Sequence, residues 1–319
     1  MCKNNRFPLN KKTLKGSIRL DTITIDPITI DPIASFSSST IESSILRLDK
    51  LHPIVSGNKW FKLRYYIEDA IAHNASTIAS FGGPYSNHLV ALAYAAKENN
   101  VKSIGYIRAT KEDALTSSLQ EALTYGMHLE FIGRTHFQEI KNELLSKNQQ
   151  TSIDKGSIYF IDEGGYGELG AKGAATILNE QCKDYNTIIA AVGTGTMLAG
   201  LIQAAATHQN VIGIPILKNE ESIEAEIKNL LKDSTKPFRL VHGFHQGGYA
   251  KTKPALIAFM NQLWETEKIP SDIVYTGKLL YAVDNLLKEN YFKAGAKILV
   301  IHSGGLQGNR SLPPGTLLY

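Results

Sequence analysis

The sequence predicts an α/β protein whose sheets are mostly parallel and flanked by helices. Three observations carry that expectation. Apolar runs of strand length, several rich in β-branched residues as in strands buried on both faces, alternate with stretches of helical length. Glycine-rich turns follow several of these runs and lead into helices. Finally, 43% of the 319 residues are hydrophobic, enough for one large core or two of medium size.

Taken in order, residues 17–47 are rich in Ile, Thr and Ser and hold a direct repeat, TIDPITIDPI, at 24–33. Pro27 and Pro32 exclude a regular central strand, so an extended segment crossing a domain surface is expected. ILRLD (45–49) reads as a strand, 60–73 as a helix, STIASFGG (76–83) as strand then turn, and 87–99 as an alanine-rich amphipathic helix. VKSIGYIR (101–108), MHLEFIG (127–133) and SIYFID (157–162) read as strands separated by helical stretches. EGGYGELGAKG (163–173) reads as a glycine-rich connection followed by a helix to about 182. Residues 186–205 combine an apolar run, a glycine turn and a helix; NVIGIPIL (210–217) is a strand. Helices near 221–232, 252–267 and 277–289 and the buried-looking strand KILVIHSGG (297–305) complete the pattern.

Composition narrows the function. The net charge of +4 is scattered in ones and twos, which argues against nucleic acid as a partner. Cys2 and Cys182 form no CxxC and stand without metal-ligand spacing, so a disulfide framework is not expected and a reducing compartment is. The polar, basic start MCKNNRFPLNKKTLKGS lacks an apolar signal core, and no apolar run approaches membrane-spanning length. A cytoplasmic protein without membrane contact is the expectation.

Four turns stand at strand ends, where α/β sheets gather ligands: SGNK, FGGPYSNH, VGTGTM and IHSGGLQG. VGTGTMLAG offers the backbone N–H groups of Gly193 to Thr196 and the hydroxyls of Thr194 and Thr196 to a phosphate. It is not a dinucleotide fingerprint, because position 198 is leucine, nor a P-loop, because Gly-Lys-Ser/Thr is missing. In FGGPYSNH, Ser86 and Asn87 are ordinary N-cap residues, yet the same helix end suits a carboxylate. Ser303 on its glycine-flanked turn is either a turn former or a partner for a ring nitrogen. Lys59 and Lys62 stand at the mouth of the 60–73 helix, where the macrodipole disfavours cations. A lysine in a turn is ordinarily solvated. Together with a phosphate cradle and a hydroxyl for a ring nitrogen, however, it suits pyridoxal phosphate, which needs a lysine for its Schiff base.

SGNKWFKL, GGPYSNH, GTGTMLAG, GGYAK, IVYTGK and HSGG, in this order from about residue 45 to the C-terminus, resemble the pyridoxal-phosphate enzymes of the 1-aminocyclopropane-1-carboxylate (ACC) deaminase and D-cysteine desulfhydrase family. The resemblance implies a two-domain tryptophan synthase β-like fold (fold type II). Residues 1–62 and 166–319 would form a large cofactor-binding domain and 63–165 a small inserted one. It implies a homodimer, with the site in a cleft that closes on substrate. By position, Lys59 is similar to the Schiff-base lysine and Lys62 to the second lysine that holds the cofactor phosphate. Gly193, Thr194, Gly195 and Thr196 resemble the phosphate loop. Asn87 matches the cofactor-contacting asparagine, Ser86 the serine beside the reacting carbon, and Ser86 to His88 the segment receiving the substrate carboxylate. Tyr249 and Tyr275 match two active-site tyrosines.

Three departures accompany the match. Thr276 stands where ACC deaminases carry a glutamate paired with the pyridine nitrogen; a hydroxyl gives a weaker electron sink, which leans toward β-elimination of a thiol over cyclopropane opening. Tyr85 replaces the usual glutamine, and the segment before residue 45 is compressed. The expected chemistry is therefore deamination of D-cysteine or a similar small amino acid, with Lys59 as base at Cα and Ser86, Tyr249 and Tyr275 orienting the substrate. ACC deamination and a catalytically silent cofactor-binding protein are the alternatives. A nucleotide-dependent oxidoreductase lacks its fingerprint, and His242 and His245 of HGFH lack a third ligand for a metal.

Overall fold

The structure is a computed structural model describing residues 23, 25–113, 115–150, 157–218, 222–232, 234 and 236–319, with 147–150 as helix backbone only. Cys2 and the basic amino-terminal segment lie outside the described residues. Two sheets organise the chain. The larger is built from β1 (Ile30–Pro32), β2 (Ile41–Arg47), β7 (Thr187–Val192), β8 (Asn210–Pro215), β9 (Phe238–Leu240) and β10 (Ala296–His302), in the order β1-β2-β10-β7-β8-β9. The smaller runs β5-β4-β3-β6, from β3 (Thr77–Gly82), β4 (Lys102–Ile107), β5 (Met127–Phe131) and β6 (Ile158–Ile161). Every pairing is parallel except β1 with β2.

The repeat behaves as its prolines require. Its last residues enter an edge strand of three residues, paired antiparallel with Pro32 opposite Ser44, where a missing N–H costs no interior ladder bond.

β7 and β10 are continuous apolar runs because both faces are covered. Ile188, Ala190 and Val192 point into one core with Leu299 and Ile301, whereas Ile189 and Ala191 point into a second with Ile298 and Val300. That period-two split is what a strand between two helical layers demands. The first core packs α1 (Asn58–Ala72), α2 (Asn87–Glu98), α5 (Glu168–Ala175), α6 (Thr196–Ala204) and α7 (Ile223–Leu231); the second packs α8 (Pro254–Glu267) and α9 (Thr276–Lys288). α3 (Ser117–Thr124) and α4 (Phe137–Gln150) flank the smaller sheet.

One expectation fails. The stretch 163–173 is not all connection: α5 occupies Glu168–Ala175, and only a short 3-10 turn at Glu180–Cys182 follows where a helix to 182 was expected. Gly170 and Gly173 are packing residues within that helix. A Cβ on Gly173 would lie 1.8 Å from the Phe61 carbonyl oxygen of α1, so glycine is what lets the two helices approach. β9 was also not anticipated; it is short and only partly buried, with no clear period.

Candidate active site

A cleft of about 970 Å³ opens at the carboxyl ends of strands from both sheets. The larger sheet contributes Gly193 to Gly195 after β7 and Ser303 to Gly305 after β10. The smaller contributes Gly83 to His88 after β3, Arg108 after β4 and Asp162 to Gly164 after β6.

The first turn of α1 carries Lys59 and Lys62 into this cleft. Gly57 precedes it at φ 65°, and a Cβ there would fall 1.9 Å from the Ser303 carbonyl oxygen, which instead accepts the Asn58 N–H at 3.1 Å. The helix entrance is thus pinned to the turn after β10. It has no side-chain cap and no acidic residue in its first turn. Lys59 Nζ donates to Asn58 Oδ1 at 2.6 Å and stands 5.9 Å from the centre of the Tyr275 ring. Burial lowers its pKa from 10.5 to about 8, while the Asp272 carboxylate pulls the other way. Lys62 is buried and has a neutral partner, the Thr194 hydroxyl at 3.4 Å; burial, then repulsion from Lys59, hold its pKa well below the ordinary value.

Two lysine amines at the cleft floor, neither in an ion pair among the described residues and both disfavoured as cations by burial, suit a bound anion that would stabilise their charge. α6 supplies the complementary cradle: its N-cap is Gly195, with no side chain to satisfy the first N–H groups, and Thr194 and Thr196 share a hydroxyl contact of 2.9 Å.

Across the cleft, Ser86 caps α2 by accepting the Leu89 N–H at 3.3 Å, so capping and a place in the cleft wall coincide in one residue. Asn87 Oδ1 and His88 Nδ1 are buried without a hydrogen-bond partner, an arrangement that points to a ligand. The His88 tautomer follows from its neighbour. Ser80 Oγ gives its proton to the Ile161 carbonyl at 2.8 Å, so it accepts from His88 Nε2–H at 2.8 Å and leaves Nδ1 with a free lone pair. Burial first, then Lys62 and Lys59, keep this imidazole neutral.

Tyr275 closes the floor beside Gly193, and Tyr249 overhangs it from the loop before α8. Burial, then Tyr249, Asp272 and Glu163, push the Tyr275 phenol well above its usual range; Tyr249 is 46% exposed, and its phenol is pushed upward by partial desolvation in the cleft wall and by Asp272 and Glu163. Both hydroxyls therefore remain neutral donors. Asp272 itself is fully buried: Oδ2 accepts the N–H groups of Val274 and Tyr275 at 2.9 Å each, and Oδ1 accepts the Thr276 N–H at 2.8 Å and hydroxyl at 2.6 Å.

Of the residues singled out in the sequence, Lys59, Lys62, Ser86, Asn87, His88, Gly193, Thr194, Gly195, Tyr249, Tyr275 and Ser303 line the cleft. Thr196 and Thr276 lie behind its wall, fully buried, the Thr276 hydroxyl turned to Asp272. Tyr85 is at the rim, half exposed. Asp272, Arg108 and Glu163 were not singled out. Arg108, stacked 5.1 Å from the Phe137 ring and 3.6 Å from Glu163, is the first residue past β4. The strand-end rule that flagged the glycine turns reaches it equally well. HGFH remains outside the cleft wall, and no cluster of three metal-ligating side chains occurs among the described residues.

The donors fit pyridoxal phosphate: a cradle and a lysine for the phosphate, a poised amine, and orphaned acceptors along α2. Comparison with known proteins points the same way. The chain is 26% identical to a bifunctional D-cysteine desulfhydrase/1-aminocyclopropane-1-carboxylate deaminase, mitochondrial, of Arabidopsis thaliana, over 80% of this chain and 70% of that protein. It is 26% identical to a 1-aminocyclopropane-1-carboxylate deaminase of Rhizobium radiobacter, over 79% and 82%. Among solved structures, an ACC deaminase homologue shares the fold with a TM-score of 0.75 at 24% identity, covering 88% of this chain and 90% of that one. The family model described as pyridoxal-phosphate dependent enzyme matches residues 32–304, and the chain belongs to that family.

Proposed function

We propose that the protein is a deaminating lyase acting on a small amino acid, D-cysteine in the first place, and releasing pyruvate, ammonia and hydrogen sulfide. The observation that carries this reading is Lys59, an amine held in the first turn of α1 at the floor of an anion-binding cleft, its pKa lowered by burial to about 8. Lys62, Thr194 and the amides at the start of α6 would hold the cofactor phosphate, with Asn87 and Ser303 along its ring. When bound, pyridoxal phosphate supplies the sink for the electron pair left at Cα.

The amides and hydroxyl at Ser86–His88 receive the substrate carboxylate and present Cα to Lys59 Nζ, which takes its proton. The Cβ–S bond breaks with its electrons passing to sulfur, and the hydrosulfide leaves as hydrogen sulfide with the proton that Lys59 took from Cα, returned directly or through water. Tyr249 and Tyr275, held neutral, donate hydrogen bonds to the departing group without losing their protons. Water then converts the released 2-aminoacrylate to pyruvate and ammonia.

The replacement at position 276 of the glutamate of ACC deaminases by threonine favours elimination over ring opening through the missing carboxylate, since the Thr276 hydroxyl itself lies behind the cleft wall and is turned to Asp272. A second reading, ACC deamination to 2-oxobutyrate and ammonia, is favoured by one observation: a carboxylate, Asp272, lies a single hydrogen bond behind that hydroxyl. The family resemblance supports a homodimer and a small domain at 63–165, the span that contains the four-stranded sheet, and the sparse cysteines support a reducing compartment such as the cytoplasm. Among the described residues no helix is long and apolar enough to cross a membrane. The test offers D-cysteine, L-cysteine and ACC in parallel to the cofactor-loaded protein. Pyruvate with sulfide from D-cysteine supports the first reading and 2-oxobutyrate from ACC the second; a loaded protein inert to all three overturns both.

A further inference from the structure

Lys278 is buried in α9, one turn beyond Tyr275, and takes no part in the chemistry above. Lysine is rarely enclosed without a carboxylate, yet among the described residues no ion pair satisfies this one. Its ammonium donates to the Gly248 carbonyl at 2.6 Å. Burial lowers its pKa to about 8, opposed by the more distant Asp272 charge.

The segment it reaches is unusual. Gln246, Gly247, Gly248 and Ala250 have φ values of 57°, 102°, 118° and 52°, a left-handed run in which two members are not glycine. The loop's internal bonds are few: Gly248 N–H to the His245 carbonyl at 3.0 Å, Lys251 N–H to the Gly248 carbonyl at 3.1 Å, and Gly247 N–H to His245 Nδ1 at 3.0 Å. Among the described residues, the Lys278 bond is the hydrogen bond that ties 245–251 to the body of the molecule. Between Gly248 and Ala250 of that run stands Tyr249, in the cleft wall and within the fields of Asp272, Glu163 and Arg108.

We propose that Lys278 is a positioning residue that latches the 246–250 loop through the Gly248 carbonyl and so holds the Tyr249 hydroxyl over the cleft. A buried ammonium suits this task, because a charge-assisted bond in a dry site is stronger than a neutral one and leaves the carbonyl no competing water. The proposal rests on the assignment of Tyr249 to the working face under the proposed function.

Hydrogen exchange and kinetics on the cofactor-loaded protein test it. In the wild type, the Gly248 and Lys251 amides exchange slowly for a loop; fast exchange there overturns the latch with no variant needed. In Lys278→Met, exchange across 247–251 accelerates by about tenfold to a hundredfold, the range of one hydrogen bond to a charged group, while the β7 and β10 amides keep wild-type protection. Cofactor affinity is unchanged, kcat falls to the level of Tyr249→Phe, and the double variant is no slower than Tyr249→Phe alone. Wild-type loop exchange in Lys278→Met, or losses that multiply in the double variant, overturns the proposal. Full activity in Tyr249→Phe instead removes the catalytic assignment of Tyr249, and the exchange arm then decides the latch by itself.

Discussion

Thr276 gives its hydroxyl proton to Asp272 Oδ1 at 2.6 Å and accepts the Asp272 N–H at 2.7 Å, so the two residues close a small ring at the start of α9. The carboxylate caps the helix and at the same time places a buried negative charge where Lys59, Tyr249 and Tyr275 all feel it. Structure and electrostatics of the cleft therefore share one residue. Replacing Asp272 with Asn removes the charge and two good acceptor geometries. The variant should lose about 2 kcal/mol of stability, the order of a hydrogen bond to a charged group, read by urea unfolding. Because the carboxylate raises the Lys59 pKa, its loss moves that pKa below about 8. An unchanged titration of Lys59 would mean that the field of Asp272 does not reach it.

The pH dependence of cofactor capture follows from the same amine. Burial lowers the Lys59 pKa, so the nucleophilic neutral form is reached at lower pH than for a solvated lysine. In cofactor-free protein, capture of pyridoxal phosphate should accelerate as pH rises through about 8 and level off above it. Stopped-flow absorbance gives the profile, and a rate still climbing toward 10.5 would identify a solvated amine. Lys59→Ala should bind the cofactor without a covalent link, detected by mass after reduction, and show no turnover.

Lys62 should take up a proton when phosphate arrives. Its pKa is depressed by burial and by Lys59, and a bound dianion raises it again. Pyridoxine 5′-phosphate, which lacks the aldehyde, isolates this effect from reaction at Lys59. Calorimetry from about pH 7 to about pH 9 in buffers of different ionisation enthalpy should show more proton uptake on binding in the wild type than in Lys62→Met. The variant should also bind roughly tenfold to a hundredfold more weakly, as befits a lost charge-assisted bond. Equal uptake in both proteins would place the proton elsewhere.

Most of this arrangement was legible because the strand ends carry it. β3, β7 and β10 are largely apolar strands that lead into glycine-containing turns, and those turns and the helix starts after them hold Ser86, Asn87, Thr194 and Ser303. Asp272 escaped notice because its hydrogen bonds go to the backbone and to its own neighbour, a pattern that marks a helix start as readily as an active site. Thr276 is legible as a hydroxyl at a helix start, but its direction depends on that same carboxylate. α5 departs from its expected bounds for a different reason. Glycine punctuates loops when it stands alone, whereas in GELGAKGAA it recurs at helical spacing beside alanine, the mark of a face that must lie close to another helix.

That last distinction yields a prediction whose sign separates two principles. By intrinsic propensity, Gly173→Ala in α5 should stabilise the helix by about 1 kcal/mol. By packing it should do the reverse, because the new Cβ would stand 1.8 Å from the Phe61 carbonyl oxygen and 3.6 Å from Lys62 Cα. A backbone carbonyl inside α1 cannot swing aside as a side chain can, so α1 and α5 must separate. Overpacking of this kind costs about 1–3 kcal/mol, which exceeds the propensity gain at most of its range. Net destabilisation is therefore expected in urea unfolding. Since α1 carries Lys59 and Lys62, the separation should also weaken pyridoxine 5′-phosphate binding, although Gly173 does not line the cleft. A variant that is more stable and binds with wild-type affinity would show that α1 and α5 do not need glycine to meet.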